Sequence, residues 1–138
     1  MFGNKQTNNN FSHIKGGKRS DLENRYFRSR WEANYARYLN FLKEQGEIID
    51  WEYEPDTFFF EGIKRGTREY TPDFKITEND GSIVYHEVKG WLDKKSKTKL
   101  KRMKKYYPDI KVIVIGEDEY KAIKKYSRLI KAWEDDRY

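Results

Sequence analysis

Apolar side chains recur at helical spacing from Ser29 to Gln45, where Trp31, Tyr35, Tyr38, Leu39 and Leu42 share one stripe and Gly46 supplies a stop. The period then drops to two. Over Ile48 to Glu54, the residues Ile48, Asp50, Glu52 and Glu54 alternate with Ile49, Trp51 and Tyr53, and Pro55 ends the predicted strand. Thr57 to Phe60 reads as an aromatic extended segment. The turn-rich stretch Glu61 to Thr67, with Lys64, Arg65 and Arg68 exposed, leads into a hairpin. Its first run sets Tyr70, Pro72, Phe74 and Ile76 on one face and Thr71, Asp73 and Lys75 on the other; its second sets Val84, His86 and Val88 against Tyr85, Glu87 and Lys89. Helical spacing returns from about Ser96 to Tyr107, with Leu100, Met103 and Tyr107 as the buried stripe. After Pro108, Ile110 to Ile115 is short, β-branched and almost wholly apolar, the pattern of a strand buried on both faces. A last helix from about Asp118 is expected to turn Tyr120, Ile123, Ile130 and Trp133 inward. The predicted order is helix, three strands, helix, strand, helix. This is an α/β fold in which a right-handed crossover sets the last strand parallel to the one carrying Glu87.

Within the hairpin, charge sits where a half-buried strand should be apolar. Glu87 and Lys89, two residues apart, project from one strand face. The turn decides whether Asp73 joins them. A two-residue loop at Asp80-Gly81 would set Asp73 opposite Val88, on the wrong face. A three-residue loop, Asn79-Asp80-Gly81, pairs Glu78 with Ser82 and brings Asp73 opposite Glu87. Asn, Asp and Gly in that order suit the longer form, with Gly81 in the left-handed conformation. Two carboxylates and a lysine on adjacent strands then form a site suited to a hard divalent cation. Mg²⁺ takes oxygen ligands and keeps several waters, so one or two carboxylates plus a substrate phosphate suffice. A cross-strand ion pair on a solvated face would also account for Glu-x-Lys, at under about 1 kcal/mol.

Composition narrows the partners. A chain of 138 residues makes one domain with a modest core. With 38% charged residues, that core has to draw on eleven Tyr, eight Phe and four Trp. A net charge of +6 and a pI near 9.3 favour a polyanionic partner. The absence of cysteine excludes disulfides and thiolate metal sites. No long apolar run and no signal peptide is visible, so the expectation is a soluble intracellular protein without membrane contact. No Walker loop, zinc spacing or glycine-rich dinucleotide turn is present. Of the two histidines, His13 and His86, the second faces away from the candidate site and reads as a packed or hydrogen-bonded core residue.

Basic residues fall in three places. Residues 1 to about 20 have little to bury and are expected to form a flexible arm, in which Lys5, Lys15, Lys18 and Arg19 either touch phosphates or serve no chemistry. Arg25, Arg28, Arg30 and Arg37 would make a basic rim around the first helix. On the second helix Lys94, Lys95, Lys97, Lys99, Lys101, Arg102, Lys104 and Lys105 crowd every exposed position without one acid, a pattern favouring phosphate contact over plain solvation. Ser29-x-x-Glu32 has capping-box spacing, in which Glu32 would only return a hydrogen bond to the helix start. Glu54 lies near the level of the site, yet an exposed acidic strand face also explains it.

Pro72-Asp73 followed by Glu87-Val88-Lys89 resembles the signature of the PD-(D/E)XK nuclease superfamily. The fuller series Ser29-x-x-Glu32, Asp73-Phe74 and Glu87-Val88-Lys89-Gly90 is most similar to small phage-encoded members, and the likeness runs from Phe27 to about Ile115. It implies a restriction-endonuclease-like αβββαβ core, with a mixed four-stranded sheet flanked by helices, over residues 21–138. It also implies a Mg²⁺- or Mn²⁺-dependent DNA endonuclease of phage or bacterial host cytoplasm. Asp73, Glu87 and the Val88 carbonyl would hold the metal, Lys89 would position or activate water, and Glu32 would lean over the site. Arg28, Arg30, Lys94, Lys95, Lys97, Lys101 and Lys104 are the candidate DNA contacts. Holliday-junction resolvases share this core and act as dimers, so branched DNA and a homodimer are expected, with nicking as the next activity. The rival expectation is a nucleic-acid-binding module that keeps the fold without catalysis.

Overall fold

The computed structural model describes residues 15–135. Its strands are β1 (Gly17–Arg19), β2 (Arg25–Phe27), β3 (Asp50–Tyr53), β4 (Phe58–Phe59), β5 (Glu69–Tyr70), β6 (Phe74–Thr77), β7 (Ile83–Val88) and β8 (Val112–Ile115). Its helices are α1 (Arg30–Glu44), α2 (Lys94–Tyr106) and α3 (Glu117–Lys124). The central sheet is four-stranded and mixed, in the order β3-β6-β7-β8. The first three strands are antiparallel and β8 runs parallel to β7. Two small antiparallel pairs, β1–β2 and β4–β5, complete the described residues.

Each face of the sheet has its own core. Tyr35, Ala36 and Leu39 of α1 pack on Trp51, Phe74, Ile76, Val84 and Val88. Across the sheet, Met103 of α2 joins Phe60 and Tyr70, with Leu100, Tyr107 and Val112 around them. The aromatic composition shows in the contacts, since Phe74 lies 5.3–5.7 Å from the rings of Tyr35, Trp51 and Tyr53. Alternation along β7 separates the two cores. Val84 and Val88 face α1, where His86 Nδ1 lies 2.7 Å from the Tyr35 hydroxyl, while Tyr85 meets Phe58 on the other side. His86 is therefore a hydrogen-bonded core residue.

The hairpin takes the three-residue turn. The Glu78 amide donates to Ser82 O at 2.9 Å, Gly81 N to Glu78 O at 2.9 Å, and Gly81 has φ +87°. Thr77 pairs with Ile83 and Phe74 with His86, a register that sets Asp73 opposite Glu87.

Several expectations need correction. Residues 1–14, including His13 and Lys5, lie outside the described residues. Residues 17–19 do not belong to the expected arm, because Gly17–Arg19 pairs with β2 and Arg19 is buried. Tyr70 to Ile76 is two strands rather than one. Pro72 has no N–H to give a ladder, so the chain changes partners there, from β4 to β3 and β7. The alternation before β3 fails as well. Ile48 is buried and Ile49 exposed, because the chain is still leaving the turn at Gly46 (φ +75°). Among the described residues β8 has a single neighbour, at the sheet edge, and Ile113 is 37% exposed rather than buried. The α2 helix starts at Lys94, two residues early, because Asp93 Oδ1 accepts from Ser96 N at 2.7 Å and caps it. The α3 helix stops at Lys124, and a 3₁₀ turn over Ser127–Leu129 delivers Ile130 to a buried position.

The arginine rim is the largest change. Arg30 and Arg37 are buried, as is Arg19, and all three close on Glu134. Arg37 also makes a two-point bridge to Asp21, at 2.9 Å for each contact. Asn34 donates to Tyr120 Oη and to Glu134 O, each at 2.9 Å, and accepts from Glu134 N. Arg30 Nη1 donates to Asp135 O. At 7% exposure Arg30 is a structural cation, which removes it from the candidate DNA contacts. No helix among the described residues is long and apolar enough to cross a membrane.

Candidate functional site

Four chain segments meet at a cleft of about 640 Å³. The start of α1 supplies Arg28, Ser29 and Glu32; the link between β5 and β6 supplies Thr71 and Asp73; the end of β7 supplies Glu87, Val88 and Lys89; and the approach to α2 with its first two turns supplies Trp91, Ser96 and Lys99. The hairpin register makes Asp73 and Glu87 neighbours, and strand parity adds Lys89 beside Glu87.

Asp73 is 1% exposed. Its Oδ2 accepts from the Val88 amide at 2.8 Å, and its Oδ1 accepts from Arg28 Nη2 at 2.8 Å. Glu87 Oε1 accepts from the Tyr70 hydroxyl at 2.8 Å and from the Asp73 amide at 3.3 Å. Burial, then the nearby charges of Glu87 and Glu32, push the Asp73 carboxyl well above the usual carboxylate range. Burial raises Glu87 too, against the pull of Tyr70, Lys89 and Arg28. Glu54 is raised by burial, with Arg28 opposing. Tyr70 is held neutral by burial and by Glu87 beside it.

Ser29 Oγ accepts from the Glu32 amide at 3.1 Å and caps α1, so half of the capping box forms. The Glu32 carboxylate turns instead toward the cleft. It accepts from the Tyr53 hydroxyl at 2.5 Å and lies 3.7 Å from Arg28. Arg28 is the hub of this cluster. Beyond Asp73 and Glu32 it reaches Glu54, with Nη1 2.5 Å from Oε2. Burial opposes the Arg28 charge, but Glu32, Asp73 and Glu54 more than offset this and keep it protonated.

Four carboxylates (Glu32, Glu54, Asp73, Glu87) thus share one guanidinium and the Lys89 ammonium. Among the described residues, no three His, Cys, Asp or Glu side chains stand ready as a metal cage. The donor set nonetheless suits a hard cation, being all oxygen, buried or half-buried, and short of positive charge. Two of these carboxylates with waters are enough for Mg²⁺.

The structure brings Glu32, Asp73, Glu87, Val88 and Lys89 together and adds Arg28 as their shared counterion. Lys94, Lys95, Lys97, Lys101 and Lys104 lie exposed along α2, with Lys99 lining the cleft itself. Sequence reasoning did not single out Tyr53, Tyr70, Trp91 or the central place of Arg28. For Arg28 a signal existed: it precedes Glu32 by four residues, the spacing of a same-face pair at a helix start. Nothing local marks the two tyrosines, because their acceptors lie 17 and 21 residues away.

The architecture and cleft define a mixed α/β domain with a buried carboxylate centre beside a basic helix. By sequence, residues 13–127 match the model of a family described as protein of unknown function (DUF1064), and the chain belongs to that family. A search of curated proteins finds no match to it.

Proposed function

We propose that this domain is a Mg²⁺- or Mn²⁺-dependent DNA endonuclease with a restriction-endonuclease-like core, as its likeness to the PD-(D/E)XK superfamily implies. One observation carries the reading. Asp73, buried just before β6, stands opposite the half-buried Glu87 of β7, Lys89 follows on the same face, and Lys99 of α2 lines the same cleft. Two repelling carboxylates kept together under a deficit of positive charge have a physical reason in a site that receives a cation. Asp73, Glu87 and the Val88 carbonyl would hold the metal, which supplies a Lewis acid that offsets charge developing on the phosphate oxygens.

The chain's own groups do the rest. Lys89 holds the attacking water in line with the scissile P–O bond and takes up charge as its oxygen adds to phosphorus. As the water oxygen bonds to phosphorus, the P–O bond to the departing oxygen breaks; the attacking water gives a proton to bulk solvent and the departing oxygen takes one from it, leaving one phosphate monoester end and one hydroxyl end. Glu32, fixed by Tyr53, orients water at the edge of the site. Arg28 releases part of its carboxylate contact to meet a phosphate oxygen, and the exposed α2 lysines hold neighbouring phosphates. By its likeness to resolvases, branched DNA is the preferred substrate and a homodimer the acting form.

The experiment is cleavage of supercoiled plasmid and of a four-way junction by purified protein in Mg²⁺ or Mn²⁺, with Asp73→Asn as control. Metal-dependent cutting that Asp73→Asn abolishes is expected. Tight DNA binding without cutting by the wild type would make the domain a binding module and overturn the catalytic reading.

A further inference from the structure

Among the described residues, Trp91 is the one exposed large apolar side chain that lines the cleft, and at 77% exposure it is the most open of all such side chains. An indole left in water forgoes the largest burial gain of any side chain, so its position beside a polar, charged cleft calls for an occupant. It stands two residues beyond Lys89 and three before Lys94, where α2 begins. The backbone that presents it is held at both ends. The Lys89 amide donates to Ile115 O at 3.0 Å, and Asp93 caps α2 at 2.7 Å. Between them Gly90 packs so closely on Trp31 that a Cβ would meet the ring at 2.9 Å. Trp31 in turn stacks on Tyr120 at 4.2 Å with the planes 10° apart. The tight seat of Gly90 on Trp31 fixes the backbone beside Trp91, whose indole stands exposed at the cleft mouth.

We propose that Trp91 is a stacking platform for an unpaired nucleobase next to the scissile phosphate, so that the substrate class is nucleic acid with unstacked nucleotides at the cut site: a junction, flap or gap rather than continuous duplex. This rests on the nuclease reading of the cleft. A base in continuous duplex is already stacked on both faces and offers the indole nothing, whereas an unpaired base gains a partner of any sequence. Charge complementarity points the same way, since Lys89, Lys94 and Lys99 beside the ring suit the phosphates flanking that base. Trp91 follows Glu87 by four residues just past the end of β7, so the distance from the unpaired base to the cut would be set by this short segment.

The test is binding in Ca²⁺, which needs no turnover. Oligonucleotides carry 2-aminopurine, whose fluorescence falls on stacking, at the unpaired position of a gap or at a junction branch point. Wild type is expected to quench the probe and bind these substrates more tightly than a duplex of equal length. Trp91→Ala should lose the quench and about tenfold in affinity for them, with duplex affinity unchanged, while Trp91→Phe should keep most of both. Unaltered quenching and affinity in Trp91→Ala would overturn the proposal, as would an equal loss on duplex. That loss would make Trp91 a general contact. The catalytic reading fails on a different result, the absence of metal-dependent cutting by wild type, so the two failures are told apart.

Discussion

Replacing Asp73 with Asn should stabilise the protein while abolishing the proposed cleavage. In the fold, the Asp73 carboxyl titrates well above its ordinary range because it is buried beside Glu87 and Glu32. The folded state therefore holds this proton more tightly than the unfolded chain does. Stability is fullest below the unfolded pKa and is lost as pH rises through the folded one, at about 1.4 kcal/mol for each unit of separation. Asn keeps the carbonyl that accepts from Val88 N and drops the charge. The ion pair with Arg28 that this change removes is worth under about 1 kcal/mol, because Arg28 is more than half exposed and retains Glu54 and Glu32. For a domain of this size 1 kcal/mol moves the melting temperature by about 4 °C. At about pH 8, Asp73→Asn should accordingly melt above wild type, and the gap should narrow as pH falls toward the ordinary carboxylate range. Metal should invert the order. A site of about 1 mM affinity in about 10 mM Mn²⁺ adds about 1.4 kcal/mol to wild type and nothing to the variant. Scanning calorimetry across pH, with and without Mn²⁺, measures both. A variant less stable than wild type at about pH 8, with a gap indifferent to pH, would refute the reasoning.

Other expectations follow from the same geometry. Glu32→Gln should leave the melting temperature within about a degree, since Gln still accepts from Tyr53, yet cut turnover by about tenfold or more; full activity would leave Glu32 a structural residue. Reversing Lys97, Lys101 and Lys104 to Glu should weaken DNA binding of any sequence and lower the log–log salt slope by roughly 0.9 for each phosphate no longer held, and an unchanged slope would place the phosphates elsewhere. Burial, with Lys111 nearby, pulls His86 down to about 4, so its folded form resists protonation and its share of stability is lost as pH falls from about 6.5 toward 4. His86→Phe should flatten that acid limb, read by denaturant titration at several pH values, and an unchanged limb would clear His86. Glu134→Gln should cost about 3 kcal/mol or more in urea denaturation, because Arg19, Arg30 and Arg37 lose a shared anion in a buried setting.

What was legible in the chain was what local chemistry decides. Asn79-Asp80-Gly81 favours the three-residue turn over the two-residue one, and that turn carries Asp73 to Glu87 across fourteen residues. The helical stripe of α1 and the parallel placement of β8 followed from spacing and crossover rules. What was not legible depends on partners far along the chain. Arg30 and Arg37 read as surface cations because Glu134 is about a hundred residues away. The run Ile110 to Ile115 reads as fully buried because apolar content does not say which strand will be outermost. The capping-box spacing at Glu32 was half right: Ser29 does cap, but Tyr53 and Arg28 compete for the carboxylate and win it.

The clasp at Glu134 bears on the order of events during synthesis. The helix that carries Glu32 into the cleft also carries Arg30, Asn34 and Arg37, and their anion is made about a hundred residues later. While the chain is still on the ribosome, those guanidinium groups have no Glu134 to meet and remain cheaper to leave in water than to bury. The α1 helix is thereby discouraged from settling on the sheet until the chain through Glu134 has emerged.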